Sequence, residues 1–128
     1  MTQAQDGAKR LPRRAVVGSL GEQAASASLS DQGYRILHRN YRCRGGELDI
    51  VCERNGTLVF CEVKTRTSSQ FGLPEEAVTI PKRRRLRRLA LEYLQREGLR
   101  ARTLRFDVIS VFMADGRVGE LRHIVNAF

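Results

Sequence analysis

The sequence has no apolar run approaching the ~20 residues a membrane-crossing helix needs, so its 41% hydrophobic content reads as a folded interior, with neither a membrane span nor an apolar export signal expected. Cysteine is scarce. Cys43, Cys52 and Cys61 are odd in number and form no CxxC pair, which argues against a disulfide framework and against structural zinc, and makes a reducing cytoplasm the expected compartment. The two histidines, His38 and His123, stand in no triad or metal-ligand spacing and are assigned no chemistry. Acids are under-represented, 14 against 23 Lys and Arg, and the resulting net charge of +9 favours a polyanionic partner.

What is present fits one domain, since 128 residues can bury a single real core. Residues 1–17 mix polar and basic side chains around Pro12 without periodicity and read as a flexible basic arm, leaving 18–128 as the folded domain. From Gly18 to Gln32 a helix is expected, with Leu20, Ala24, Ala27 and Leu29 on one face and Gly33 as its left-handed stop. Tyr34 to Tyr41 and Glu47 to Glu53 read as strands separated by Gly45 and Gly46, and Asn55-Gly56 is a hairpin signal leading into a third strand, Thr57 to Lys64.

A Ser/Thr/Gly-rich loop spans Thr65 to Thr79. Beyond it Leu86, Leu89, Ala90, Tyr93 and Leu94 recur at helical spacing up to Gly98. Leu104 to Phe112 is another strand, and Val118 to Val125 a further one after the Asp115-Gly116 turn. The helix between the third and fourth strands makes those two parallel, so the fold class is α/β with a mixed sheet flanked by helices. Tyr34, Tyr41 and Phe106 are expected in packing roles.

If Asn55 and Gly56 alone form the loop, Asp49 faces Glu62 and Glu47 faces Lys64, all on one side of the sheet. Opposed side chains have Cβ atoms ~5 Å apart, and two facing carboxylates destabilise a sheet unless a cation lies between them. All-oxygen donors suit Mg²⁺ or Mn²⁺, with Asp49 and Glu62 as ligands and Lys64 placed to orient water or offset phosphate charge. The competing reading is a cross-strand salt-bridge cluster in which Lys64 balances Glu47 or Glu62. Asp107 and Glu53 are read as strand-end charges.

GELDIV at 46–51 followed by LVFCEVKTR at 58–66 resembles the PD-(D/E)XK nuclease superfamily. More specifically the chain is similar to the YraN-like bacterial family, itself distantly similar to Holliday-junction resolvases; the likeness extends through GSLGEQAA (18–25), GYRILHRNYRCR (33–44), FGLPEEAV (71–78) and Phe106-Asp107-Val108. The resemblance implies a restriction-endonuclease-like αβββαβ core in which Asp49 and Glu62 match the metal-binding acids, Lys64 the signature lysine and Glu22 the acid of the first helix. Leu48 stands where that superfamily's nominal proline would be.

Six of the seven residues from Lys82 to Arg88 are cationic. With the apolar stripe turned inward, Arg84, Arg85 and Arg88 face solvent as phosphate contacts, while Lys82 turns toward Lys64 and a phosphate held there. Arg66 and Phe71 in the loop add a backbone contact and a ring that anchors the loop or wedges between bases. The sequence thus leads to a Mg²⁺-dependent endonuclease acting on DNA, branched or otherwise structured by family likeness. Its rival is a non-catalytic nucleic-acid-binding module on the same fold. RNA as the substrate and a homodimer as the working form both stay open.

Overall fold

Paired positive-φ residues set the two tight hairpins of this fold: Asn55 and Gly56 at φ 53° and 79°, Asp115 and Gly116 at 52° and 72°. Such twin left-handed positions match the twist of the flanking strands, and Asn, Asp and Gly reach them at low cost. The structure, a computed structural model, describes residues 13–67, 78–100 and 103–128, with side chains from residue 18 onward. The element order is α1 (Arg13–Asp31), β1 (Arg35–Cys43), β2 (Gly46–Arg54), β3 (Thr57–Arg66), α2 (Ile80–Glu97), β4 (Thr103–Ala114) and β5 (Arg117–Ile124). The five strands lie in sequence order, antiparallel except for the β3–β4 pair, which α2 connects in parallel.

The αβββαβ order is therefore present, closed by β5. Helix α1 starts at Arg13, inside the stretch expected to be an arm. Arg13, Arg14 and Ala15 are good helix formers, and that propensity extends the helix where the apolar period has lapsed. The buried stripe of α1 is also displaced: Gly21, Ala25 and Leu29 are buried, four residues apart, while Ala27 is exposed. The helix ends on Gly33 at φ 88°, with Tyr34 N–H bonded to Leu29 O and Gly33 N–H to Ser30 O, both at 3.0 Å.

Helix α2 is capped at both ends. Thr79 accepts from Lys82 N–H, Pro81 occupies a position where no N–H is needed, and Gly98 closes the helix at φ 64°. Among the described residues no helix is long and apolar enough to cross a membrane.

Each face of the sheet has its own core. Ala25 and Leu29 of α1 pack with Ile50, Cys52, Val59, Cys61, Ile109 and Val111. Leu86, Leu89, Ala90 and Tyr93 of α2 pack with Leu48, Val51, Phe60, Phe106 and Val108. Sandwiched between them, β3 is apolar on both faces, as central strands are. Tyr34 and Phe106 are buried and Tyr41 half-buried, in the packing roles expected of them. Tyr41 and Phe60 pack edge-on against Tyr93, and Phe128 stacks on Phe106. Cys43, Cys52 and Cys61 are free, with the Cys52 and Cys61 sulfurs 4.0 Å apart.

Candidate active site

The β2–β3 hairpin keeps the register that its two-residue turn dictates, from Arg54↔Thr57 to Ile50↔Cys61. Beyond that pair the ladder gives way, and Val63 N–H donates instead to Asp49 Oδ2 at 2.9 Å. Alternation breaks at the same point: Ile50 packs on the α1 side, yet Leu48, two residues away, is buried in the α2-side core. Asp49 is thus held on a deformed stretch of β2, its carboxylate tied to the backbone of β3 beside Glu62.

Four other elements bring side chains to this spot. Glu22 comes from α1, where Gly21 lets the helix sit against β3: a Cβ at Gly21 would run into the Thr65 hydroxyl. Its carboxylate pairs with the side chain of Asn40 of β1, a residue at φ 53°, a conformation Asn tolerates better than most. From β3 come Glu62, 8% exposed, and Lys64, whose Nζ lies 3.4 Å from Glu62 Oε2. From the first turn of α2 comes Lys82, with Nζ at 2.5 Å from the same oxygen.

The electrostatics follow from crowding acids in a half-dry site. Burial, then the charges of Glu62 and Glu22, push the Asp49 carboxyl up to about 7 against the pull of the Val63 N–H. Glu22 is raised by burial and by Glu47 and Glu62, with Asn40 and Arg39 opposing. Lys64 is lowered by burial and by its ammonium neighbour Lys82. Burial is the largest influence on Lys82 and works against its charge, but its contacts with Glu62 and Lys64 and the charges of Glu62 and Asp49 together raise it. Under the acids lies a cavity of about 10 Å³, room for about one water, lined by Asp49 and Glu62 with Leu48, Phe60, Cys61, Leu86 and Phe106.

The three carboxylates, from three elements, are hard oxygen donors of the type that Mg²⁺ or Mn²⁺ takes, although their oxygens are not gathered within 4.8 Å of one another as the donors of Cys61, Asp107 and His123 are. The mutual repulsion of the three carboxylates is the kind that such a cation relieves. Ser110 adds an orphan: it pairs with Lys64 in the β3–β4 ladder, so both leave the sheet on one face, and its fully buried hydroxyl has no hydrogen-bond partner.

The expected residues do not all meet. Glu47 does not face Lys64; it is exposed and pairs with Arg42 at 3.8 Å, because the regular pairing of the hairpin ends before it is reached. It remains close enough to raise Glu22. Arg84, Arg85 and Arg88 are exposed along α2, well placed to meet a polyanion, whereas Lys82 of the same run is turned into the acid cluster. Arg66, half-buried, ends β3 opposite Phe112 of β4. Phe71 lies outside the described residues.

Asp107, read from the sequence as a strand-end charge, lies instead in the middle of β4 and is 0% exposed. Arg105 Nε and Nη2 donate to its two oxygens at 2.9 and 2.8 Å, His123 Nε2 lies 2.7 Å away, and Asn126 N–H donates at 2.9 Å. Burial alone would raise this carboxyl, but His123, Arg105 and Asn126 together hold it low. Donor atoms of Cys61, Asp107 and His123 lie within 4.8 Å of one another, an arrangement that could hold a metal ion. With four hydrogen bonds on the carboxylate and Arg105 neutralising it, the group is already satisfied as a structural tie between β4 and the C-terminal end. The signal in the sequence was an acid inside an apolar strand run, Phe106-Asp107-Val108. Asn40, also unanticipated, left no such signal.

Relatives agree over most of the chain. A UPF0102 protein from Moorella thermoacetica is 52% identical over 112 residues, 87% of this chain and 93% of that protein. One from Symbiobacterium thermophilum is 51% identical over 113 residues, covering 88% of this chain and 95% of the relative, and one from Pelobacter propionicus is 50% identical across 87% and 81%. Residues 21–111, from beside Glu22 into β4, match the family described as "Uncharacterised protein family UPF0102", and the chain belongs to that family.

Proposed function

We propose that this chain is a divalent-metal-dependent endonuclease of the PD-(D/E)XK type that hydrolyses phosphodiester bonds in DNA. One observation carries the reading: Asp49, Glu62 and Glu22 converge from three elements onto a half-buried site that also holds Lys64 and Lys82. The GELDIV and EVKTR motifs supply the first, second and fourth of these groups in superfamily order. Leu48, in place of the nominal proline, serves as a buried prop for the deformed stretch of β2.

Asp49 and Glu62 would hold Mg²⁺ or Mn²⁺, with Glu22 completing the anionic shell. A bound cation supplies Lewis acidity, polarising a phosphoryl oxygen and making water a competent nucleophile near neutral pH. Lys64 Nζ offsets charge that develops on the phosphate, where it acts more strongly than in bulk water because the site is partly dry. Arg84, Arg85, Arg88 and Arg66 hold neighbouring phosphates and contribute affinity without sequence preference. Branched DNA is the substrate proposed first, on the likeness to resolvases, and the reducing cytoplasm the compartment.

A second reading draws on the Lys82–Glu62 pair, which satisfies Glu62 with no cation at all. On that reading the chain is a binding module that uses its basic helix alone. Cleavage of single-stranded, duplex, flap and four-way-junction DNA with Mg²⁺ and with Mn²⁺ separates the two. Cutting by the wild type that disappears in Asp49→Asn and Lys64→Ala supports the nuclease; binding without cutting on every substrate supports the module.

A further inference from the structure

Glu62 Oε2 carries two ammonium groups at once, Lys82 Nζ at 2.5 Å and Lys64 Nζ at 3.4 Å. With two ammonium groups already on this oxygen, a divalent cation approaching it meets their repulsion and finds its lone pairs taken up, so the nearer lysine stands where the cation would come in. The shorter contact belongs to Lys82. Without it, a carboxylate only 8% exposed would lose its nearest counter-charge, which buried acids tolerate poorly.

The two lysines differ in how they can give way. Lys64 sits within β3, its backbone in the ladder with Ser110. Lys82 is in the first turn of α2, its N–H held by Thr79 Oγ1 at 3.4 Å, so the main chain is anchored and the four-carbon stem is free to swing. Arg85, three residues on and so beside Lys82 on the helix surface, is exposed, and a phosphate held there lies within reach of the Lys82 side chain.

We propose that Lys82 is a substrate-phosphate ligand held in reserve: in the metal-free protein it fills the cation's place on Glu62, and it transfers to a phosphate of the nucleic acid when the cation is taken up. The inference rests on the endonuclease reading above. Having left Glu62, Lys82 needs a new anion, and the substrate provides it; cation and nucleic acid therefore each favour the binding of the other. Lys82 would thus touch the substrate only in the loaded enzyme, unlike the exposed arginines, which bind phosphate with or without metal.

Isothermal titration of the full chain with Mn²⁺ tests the first half, comparing wild type, Asp49→Asn, Lys82→Met and Lys64→Met. The expected result is Mn²⁺ affinity about tenfold tighter in Lys82→Met, little changed in Lys64→Met, and lost in Asp49→Asn. Equal tightening in both lysine variants would reduce the effect to net charge and overturn the proposal. Unchanged or weaker binding in Lys82→Met, with wild type still binding through Asp49, would overturn it while leaving the endonuclease reading intact. No Mn²⁺ binding in any of the proteins would sink both.

The second half is read from the affinity for a labelled flap DNA in Ca²⁺ and in EDTA at equal ionic strength. Wild type should bind severalfold tighter in Ca²⁺, and Lys82→Met should lose that gain while matching wild type in EDTA; a gain that survives in Lys82→Met would refute the transfer. Thermal unfolding is followed for every variant, and Lys82→Gln replaces Lys82→Met if the latter melts early.

Discussion

The Asp49 carboxylate accepts a hydrogen bond from Val63 N–H at 2.9 Å, where the next step of the β2–β3 ladder would otherwise lie. A side chain has taken over a backbone role. That single bond fixes where Asp49 points, beside Glu62, and makes the carboxylate part of the sheet as well as part of the site.

This dual role has a pH signature. The Asp49 carboxyl, pushed up to about 7 from an ordinary 3.8, is easier to keep neutral in the folded state than in the unfolded one. Its contribution to stability is therefore fully present below the unfolded value and is lost as pH rises through about 7. In EDTA the protein should melt at a lower temperature at pH 8 than at pH 5.5, and Asp49→Asn should flatten that slope and gain about 2 kcal/mol at pH 8. Mg²⁺ should restore much of the loss in wild type alone. A melting profile unchanged by Asp49→Asn would contradict the assignment.

Asp107 runs the opposite way. Its carboxyl is held below the usual value, so its contribution is present above about 3.8 and disappears as pH falls through the lowered folded value. Asp107→Ala leaves Arg105 and His123 without their buried partner and should cost about 3–5 kcal/mol in urea unfolding at pH 7. Nuclease activity per folded molecule should survive, because this group ties β4 to Asn126 and is not one of the converging acids. Loss of cleavage from fully folded Asp107→Ala would place it in the chemistry.

Gly21→Ala sets two known effects against each other. Alanine favours a helix over glycine by about 1 kcal/mol, but here its Cβ meets the Thr65 side chain, and overpacking of this kind costs about 1–3 kcal/mol. The net should be destabilising, and the adjacent Glu22 should be displaced with α1. Thr65→Ala in the same chain should recover most of the stability; additivity of the two substitutions would rule the contact out.

For the chemistry itself, Asp49→Asn and Glu62→Gln should each lower kcat about 10³-fold or more, and Lys64→Ala about 10²–10³-fold, the range for losing one preorganised charge-stabilising group. Glu22→Gln should cost less, because Glu22 is less deeply placed and shares its load with Asn40. Rates measured with Mg²⁺ at saturation on the best-cut substrate check the ranking.

Replacing Arg84, Arg85 and Arg88 together with alanine should weaken binding to all nucleic-acid sequences alike and reduce the slope of log K against log salt by about 2.7 on duplex DNA. The melting temperature should hardly move, since all three are exposed and pack against nothing in the core. An unchanged salt slope would show that the polyanion binds elsewhere.

Much of this was legible in the chain because the signals are local. Asn55-Gly56 needs only its own backbone to make a tight turn, and the turn alone determines that Asp49 and Glu62 come to the same end of neighbouring strands. The apolar spacing of Leu86, Leu89, Ala90 and Tyr93 likewise settles which side of α2 is inward and hence that Arg84, Arg85 and Arg88 are outward. Where residues meet across long stretches of chain, local periodicity carries no information. That Gly21 rather than Ala27 faces the sheet depends on how closely α1 can approach Thr65, and the burial of Asp107 depends on Arg105, His123 and Asn126 being there to satisfy it.

The sequence by itself determined the elements, their turns and the hairpin register as far as Ile50 and Cys61, since each of these follows from the conformational preferences of neighbouring residues. Only the tertiary structure decided that Glu47 stays outside on Arg42, that Asn40 partners Glu22, and that Lys82, expected beside Lys64, sits on Glu62 itself. Those outcomes turn on desolvation and charge balance in a site built from separate segments, and such balances exist only once the helices have docked.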